Sequence, residues 1–167
     1  MMKQAILAST VMLGLTAAVF AADETFVMKV AKGGMAEVEL GKLATEKASS
    51  DAVKRFGQRM IDDHGKANNE LKALAQSKNV TLSMEMGPEE KALRNRLMKL
   101  SGPAFDKAYM NAMVNDHVKD VNEFRMESTS GKDPDVKAWA AKTLPTLEEH
   151  LKMARDANGA VGTSANH

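Results

Sequence analysis

Residues 56–71 read FGQRMIDDHGKANNEL and residues 109–124 read YMNAMVNDHVKDVNEF. Aligned without gaps, the two stretches share Met60/Met113, Asp63/Asp116, His64/His117, Lys66/Lys119, Asn69/Asn122 and Glu70/Glu123. Their common core is Met-x-x-Asp-His, and in both the apolar residues recur at helical spacing. His64 lies one turn after Met60 and seven residues before Leu71, so it points with the apolar stripe. His117 stands in the same relation to Met113 and Phe124. One structural solution is used twice, and it is a helix that turns a histidine inward.

Outward from these segments, Gly and Pro punctuate the chain into further helices. Residues 25–48 carry Val27, Val30, Ala31, Gly34, Val38, Gly41 and Ala44 as one stripe. Ser49-Ser50-Asp51 breaks that stripe and offers capping oxygens to the helix that follows, which runs to about Lys78. Gly87-Pro88-Glu89-Glu90 places Pro at a first helical position with acids in the first turn, opening a short helix that ends near Ser101-Gly102-Pro103. A third long helix spans about 103–129, and Gly131-Lys132-Asp133-Pro134 leads into a fourth that reaches about Ala157. Nothing alternates at period two. The reading is an all-α, ferritin-like four-helix bundle over residues 22–157, with a flexible tail at 158–167. The tight first and third connections make antiparallel pairs. The long middle connection, 79–102, contains the short extra helix and is long enough to cross back along the bundle, although simple up-down-up-down order also satisfies the pattern.

Each long helix contributes one inward polar group. Glu37 has Val30, Gly33, Gly34, Leu40, Gly41 and Ala44 as its same-face neighbours, whereas Glu39 sees Lys32, Lys42 and Glu46 and belongs to solvent. His150 is flanked by Thr143, Leu147, Met153 and Ala154. Counting the rise of about 1.5 Å per residue from each turn brings Glu37, His64 and His117 to one level. The same count leaves His150 about one turn too far along, with Pro145 inside its helix to disturb the register.

Composition removes many alternatives. There is no Cys, which excludes disulfides, iron–sulfur clusters and thiol catalysis. The formal charge is +1 and, from residue 23 onward, 22 basic residues balance 22 acidic ones. That balance speaks against nucleic acid as partner and against a polybasic membrane-surface role. The N-terminus reads as a signal peptide, residues 1–21: a short positive start at Lys3, an apolar run over 5–20 and small residues at Ala21 and Ala22. The apolar run is short of the roughly 20 residues a membrane span needs. The mature chain is thus expected to be periplasmic or secreted, with no stable membrane insertion after cleavage.

Imidazoles and a carboxylate converging in a bundle core suit one transition-metal ion, Cu, Zn or Fe, with Glu37, His64, His117 and His150 as ligands. Asp63 and Asp116 lean towards the helix flanks and read as supporting or surface groups. Ile61, Val114 and Leu147 stand three residues before the histidines, so the Glu-x-x-His pairs of di-iron carboxylate proteins are missing, and a metal-dependent redox enzyme is the third reading. The second is a non-catalytic structural or interaction bundle, in which a buried polar cluster fixes helix register. Met60, Met113 and Met153 lie one turn from the histidines; thioethers suit Cu(I), but core filling explains such a stripe as well. No phosphate loop, nucleophile elbow or His-Glu-x-x-His is present.

The segments Ala36-Glu37-Val38-Glu39-Leu40-Gly41, Met60-Ile61-Asp62-Asp63-His64, Phe105-Asp106-Lys107-Ala108-Tyr109, Met113-Val114-Asn115-Asp116-His117 and Leu144-Pro145 ahead of His150 together resemble a bacterial exported family, domain of unknown function 4142. The resemblance covers about residues 25–157. It implies a ferritin-like fold with the crossover, and it places Glu37, His64, His117 and His150 at the family's characteristic acid and His positions. It implies no established activity. The outer-membrane label attached to the family finds no barrel-type strand pattern in this sequence to support it.

Overall fold

The computed structural model describes residues 14–83 and 85–164. The chain forms α1 (Gly14–Lys47), α2 (Asp51–Ser77), α3 (Pro88–Leu97), α4 (Gly102–Ser130) and α5 (Pro134–Ser164), with no strand among the described residues. Most of the expected export segment lies outside the described residues. α1 takes in its last part, beginning eleven residues before the Thr25 read from the sequence, because 15–22 is an Ala-rich run with no breaker. None of the described helices is long and apolar enough to cross a membrane.

The helices pair as α1 with α2 and α4 with α5, and the two hairpins meet along α2–α5 and α1–α4. Two apolar clusters fix the direction of each rod. One gathers Leu40, Ala44 and Ala48 of α1 and its turn, Val53 and Phe56 of α2, Phe105 and Tyr109 of α4, and Ala154 and Ala157 of α5. The other gathers Val27 and Ala31, Leu71 and Ala75, Val121 and Phe124, and Val136 and Trp139. The end of α2 and the start of α4 therefore lie at opposite ends of the bundle, so the connection between them runs its full length. This is the crossover layout, and simple up-down-up-down order is ruled out. The extra helix α3 rides in the crossover, packs on α1 and α4, and seals the first cluster with Leu97.

Each turn is fixed by a carboxylate. Asp133 caps α5, its Oδ1 accepting from the backbone N–H groups of Asp135 (2.9 Å) and Val136 (3.1 Å), with Pro134 at the first helical position. The α1–α2 turn departs from expectation, since Ser50 makes no side-chain capping bond. Buried Asp106 reaches across from α4 instead and accepts from Ser49 N (3.1 Å), Ser49 Oγ (2.6 Å) and Ser50 N (2.9 Å). At the other end Asp23 is buried and accepts from the backbone N–H groups of Lys132 (3.0 Å) and Asp133.

The stretch read as a tail, 158–164, is instead the end of α5. Asn158 Nδ2 donates to Asn111 Oδ1 at 3.1 Å, and Val161 packs against the first cluster, so α4 supplies the surface that keeps this last segment helical. Residues 165–167 lie outside the described residues. Pro145 sits inside α5 without ending it.

The α1–α2 contact is made by backbone. A Cβ built on Gly41 would lie 2.6 Å from the carbonyl oxygen of Gly57, and one on Gly57 would lie 2.7 Å from the Cβ of Ala44. No side chain fits at either position, and the two rods touch one turn from Glu37 and two turns from His64.

Candidate metal centre

All four inward groups meet at mid-height in the bundle. Glu37, His64, His117 and His150 are buried, each from a different long helix. The ring centroids lie 5.8 Å apart for His64–His117, 5.2 Å for His64–His150 and 5.4 Å for His117–His150. One ring nitrogen of each histidine lies within 4.8 Å of one from each of the others.

His150 is thus level with its partners, against the one-turn offset expected from counting. The count treated side chains as horizontal, whereas Cβ bonds tilt towards the N-terminus of their own helix. In an antiparallel pair these tilts oppose each other. His117 leans away from the α4–α5 turn and His150 leans towards it, closing a three-residue excess of about 4.5 Å in rise. Glu37 and His64 carry the same three-residue excess and close it the same way.

Every ring has one nitrogen engaged and one left over. His64 Nδ1 is 2.8 Å from Glu37 Oε2. His117 Nδ1 is 3.0 Å from the carbonyl oxygen of Met113, which only accepts, so this nitrogen carries the proton and Nε2 carries the lone pair. His150 Nε2 lies 2.8 Å from Asp63 Oδ2, and Asp63 is also bonded by Arg59. Burial works upward on the Asp63 carboxyl, but the bonds from His150 and Arg59 outweigh it and hold it below its usual range. Asp63 therefore accepts as a carboxylate, and the lone pair of His150 is on Nδ1. The remaining atoms, His64 Nε2, His117 Nε2, His150 Nδ1 and Glu37 Oε1, are buried with no hydrogen-bond partner among the described residues. Glu37 Oε1 and His117 Nε2 are 3.4 Å apart.

Burial pushes all three imidazoles down to about 4 and Glu37 up to about 8. At neutral pH the rings are uncharged, the form that binds metal, and Glu37 keeps its own proton. A cation placed among the free atoms would draw that proton away and leave a carboxylate accepting from His64 Nδ1. Met60 and Met113 are fully buried in the first apolar cluster, Met153 packs against it, and none of the three lines the cavity beside the site. They fill core.

A family model described as a domain of unknown function, DUF4142, matches residues 12–157. The chain belongs to the DUF4142 family. No curated protein and no solved structure matches it. The functional reading of this DUF4142 member therefore has to come from the geometry of its core.

That geometry contains groups the sequence reading passed over. The carboxylates of Asp116 and Asp120 lie within 4.8 Å of that of Glu37 and of each other. They occupy one face of α4, one turn apart, next to His117. That spacing was the available signal. Asp63 and Asp116 occupy the same place in the repeated segment yet diverge, the first turning to α5 and the second to α1.

Proposed function

We propose that this protein is an exported metal-binding bundle holding one transition-metal ion in its core through His64, His117, His150 and Glu37. The observation that carries this reading is the set of four unpartnered buried atoms, three imidazole nitrogens and one carboxylate oxygen, converging from four helices. Burying a polar atom without a partner costs roughly 1–3 kcal/mol. Four at one point disfavour a purely structural cluster, whose groups should satisfy one another. The opposite nitrogens are held by Asp63, the Met113 carbonyl and Glu37, and such outer bonds fix ring orientation in metal sites.

Three imidazoles and one carboxylate without thioether make an N/O donor set of borderline character, which favours Zn²⁺ or Cu²⁺ over Cu(I). Tetrahedral zinc, with Zn–N of about 2.0–2.1 Å, sets its donors about 3.3 Å apart, so binding would draw the rings slightly inward. With all four positions taken by protein, the role that suits the site is capture or storage of metal rather than turnover. The test is elemental analysis of untagged protein before and after chelation, then reloading with zinc or copper. One tightly held ion per chain, lost in both His64→Ala and His117→Ala, is the expected result. Substoichiometric metal, or binding indifferent to both substitutions, would leave only the structural reading.

A further inference from the structure

Beside the imidazoles, Glu37, Asp116 and Asp120 bring three carboxylates within 4.8 Å of one another, and among the described residues none of the three carries a Lys or Arg ion pair. The nearest basic groups are otherwise placed. Lys29 is bonded to Glu123, and Lys119 stands on the exposed side of α4 beside Asp116. Glu37 is the buried member, and its Oε1 has no hydrogen-bond partner. All three acids line one cavity of about 80 Å³ beside α1 and α4, which also takes in His64, Lys29, Glu90 and Glu123. Space of that size holds an ion with a few waters, and five carboxylates against one lysine leave its lining negative.

We infer that Glu37, Asp116 and Asp120 form a second cation site, for a hard, oxygen-preferring divalent ion, with Glu37 lying between it and the histidine cluster. The donor chemistry separates the two ions: carboxylate oxygen and water suit Mn²⁺ or Mg²⁺, whereas imidazole suits zinc or copper. Charge gives the same answer. One dication among the imidazoles neutralises Glu37 and leaves a single positive charge. Against Asp116 and Asp120 as well the sum is still one negative charge, and a second dication between them removes their mutual repulsion. The site shares Glu37 with the centre proposed above but does not depend on the imidazoles being occupied.

The experiment is a titration of zinc-loaded protein with MnCl₂, following loss of the aqueous Mn(II) electron paramagnetic resonance signal and total metal by elemental analysis. One Mn per chain in addition to retained zinc is expected. The Asp116→Asn/Asp120→Asn double variant should lose Mn affinity at least tenfold while keeping its zinc. It removes like charges, so it should melt no lower than the parent without metal, and Mn²⁺ should raise the melting temperature of the parent only. His117→Ala/His150→Ala should lose zinc and keep Mn. No Mn uptake, displacement of zinc by Mn, or equal uptake by the double Asn variant would overturn the inference. Mn uptake that needs Asp116 and Asp120 in a protein that never takes zinc would sink the histidine centre and leave this site standing.

Discussion

The carboxylate of Asp63 lies 2.8 Å from Nε2 of His150, tying α2 to α5 one residue before His64 turns into the core. Adjacent residues on one helix thus serve different parts of one cluster: His64 points at α1, and Asp63 holds the ring contributed by α5. Arg59, one turn earlier, bonds the same carboxylate and keeps it ionised. Metal sites rely on such outer partners to orient their imidazoles, and losing one typically costs about 10–100-fold in affinity. Asp63→Ala should weaken zinc binding by that factor while leaving the bundle folded. Competition with a chromophoric chelator measures it. Unaltered affinity would mean that His150 is not a ligand or needs no help to be one.

Gly57→Ala places a methyl group against the Ala44 Cβ and the Gly41 carbonyl, at 2.7 and 2.8 Å. Backbone cannot step aside as a side-chain tip can, so α1 and α2 must separate. Overpacking of this kind costs about 1–3 kcal/mol. Glu37 and His64 sit on those same two rods, so the variant should lose metal affinity along with stability. A urea midpoint shift with full zinc affinity would show that the helix crossing does not set the site.

Helix positions, the inward faces and the four central residues were legible because they depend on local spacing. Glu37 stood out from Glu39 by its neighbours alone, and the inward directions of His64 and His117 followed from Met60, Leu71, Met113 and Phe124. What escaped depends on contacts between rods. The level of His150 required the tilt of side chains in an antiparallel pair. The α1–α2 turn looked self-capped, yet its donors are met by Asp106, more than fifty residues away. Asp116 looked like a flank residue and Asp120 drew no reading, because nothing in α4 itself announces that Glu37 approaches them from α1.

Glu37 gives the pH dependence of the metal-free protein a definite sign. Its carboxyl ionises near 4.5 when exposed and is pushed up to about 8 in the folded chain by burial. Between those values the unfolded chain has released a proton that the folded chain keeps. This contribution is complete below about 4.5 and is lost as pH rises towards about 8. The three imidazoles act oppositely, costing stability as pH falls from 6.5 towards about 4. Glu37→Gln cannot ionise, so parent stability relative to this variant should decline between pH 5 and 8, by at most about 1.4 kcal/mol per pH unit. Urea unfolding in chelator at several pH values checks it. A pH-independent difference would show that the carboxyl is already ionised.

Asp106 allows stability to be separated from the site. It is buried and accepts three hydrogen bonds from Ser49 and Ser50, closing the end of the bundle where α1, α2 and α4 meet. Asp106→Ala removes every acceptor and leaves two backbone N–H groups and a hydroxyl without partners. Bonds to a charged acceptor contribute about 1.5–3 kcal/mol, so a loss in the upper part of that range is expected. Asp106→Asn keeps one acceptor oxygen and should recover part of it. His117 lies three turns further along α4, so zinc stoichiometry and affinity should persist in both variants at temperatures where they stay folded. The checks are thermal melts beside chelator competition. If Asp106→Asn lost its zinc while still folded, the end of the bundle and its centre would form one cooperative unit rather than two separable ones.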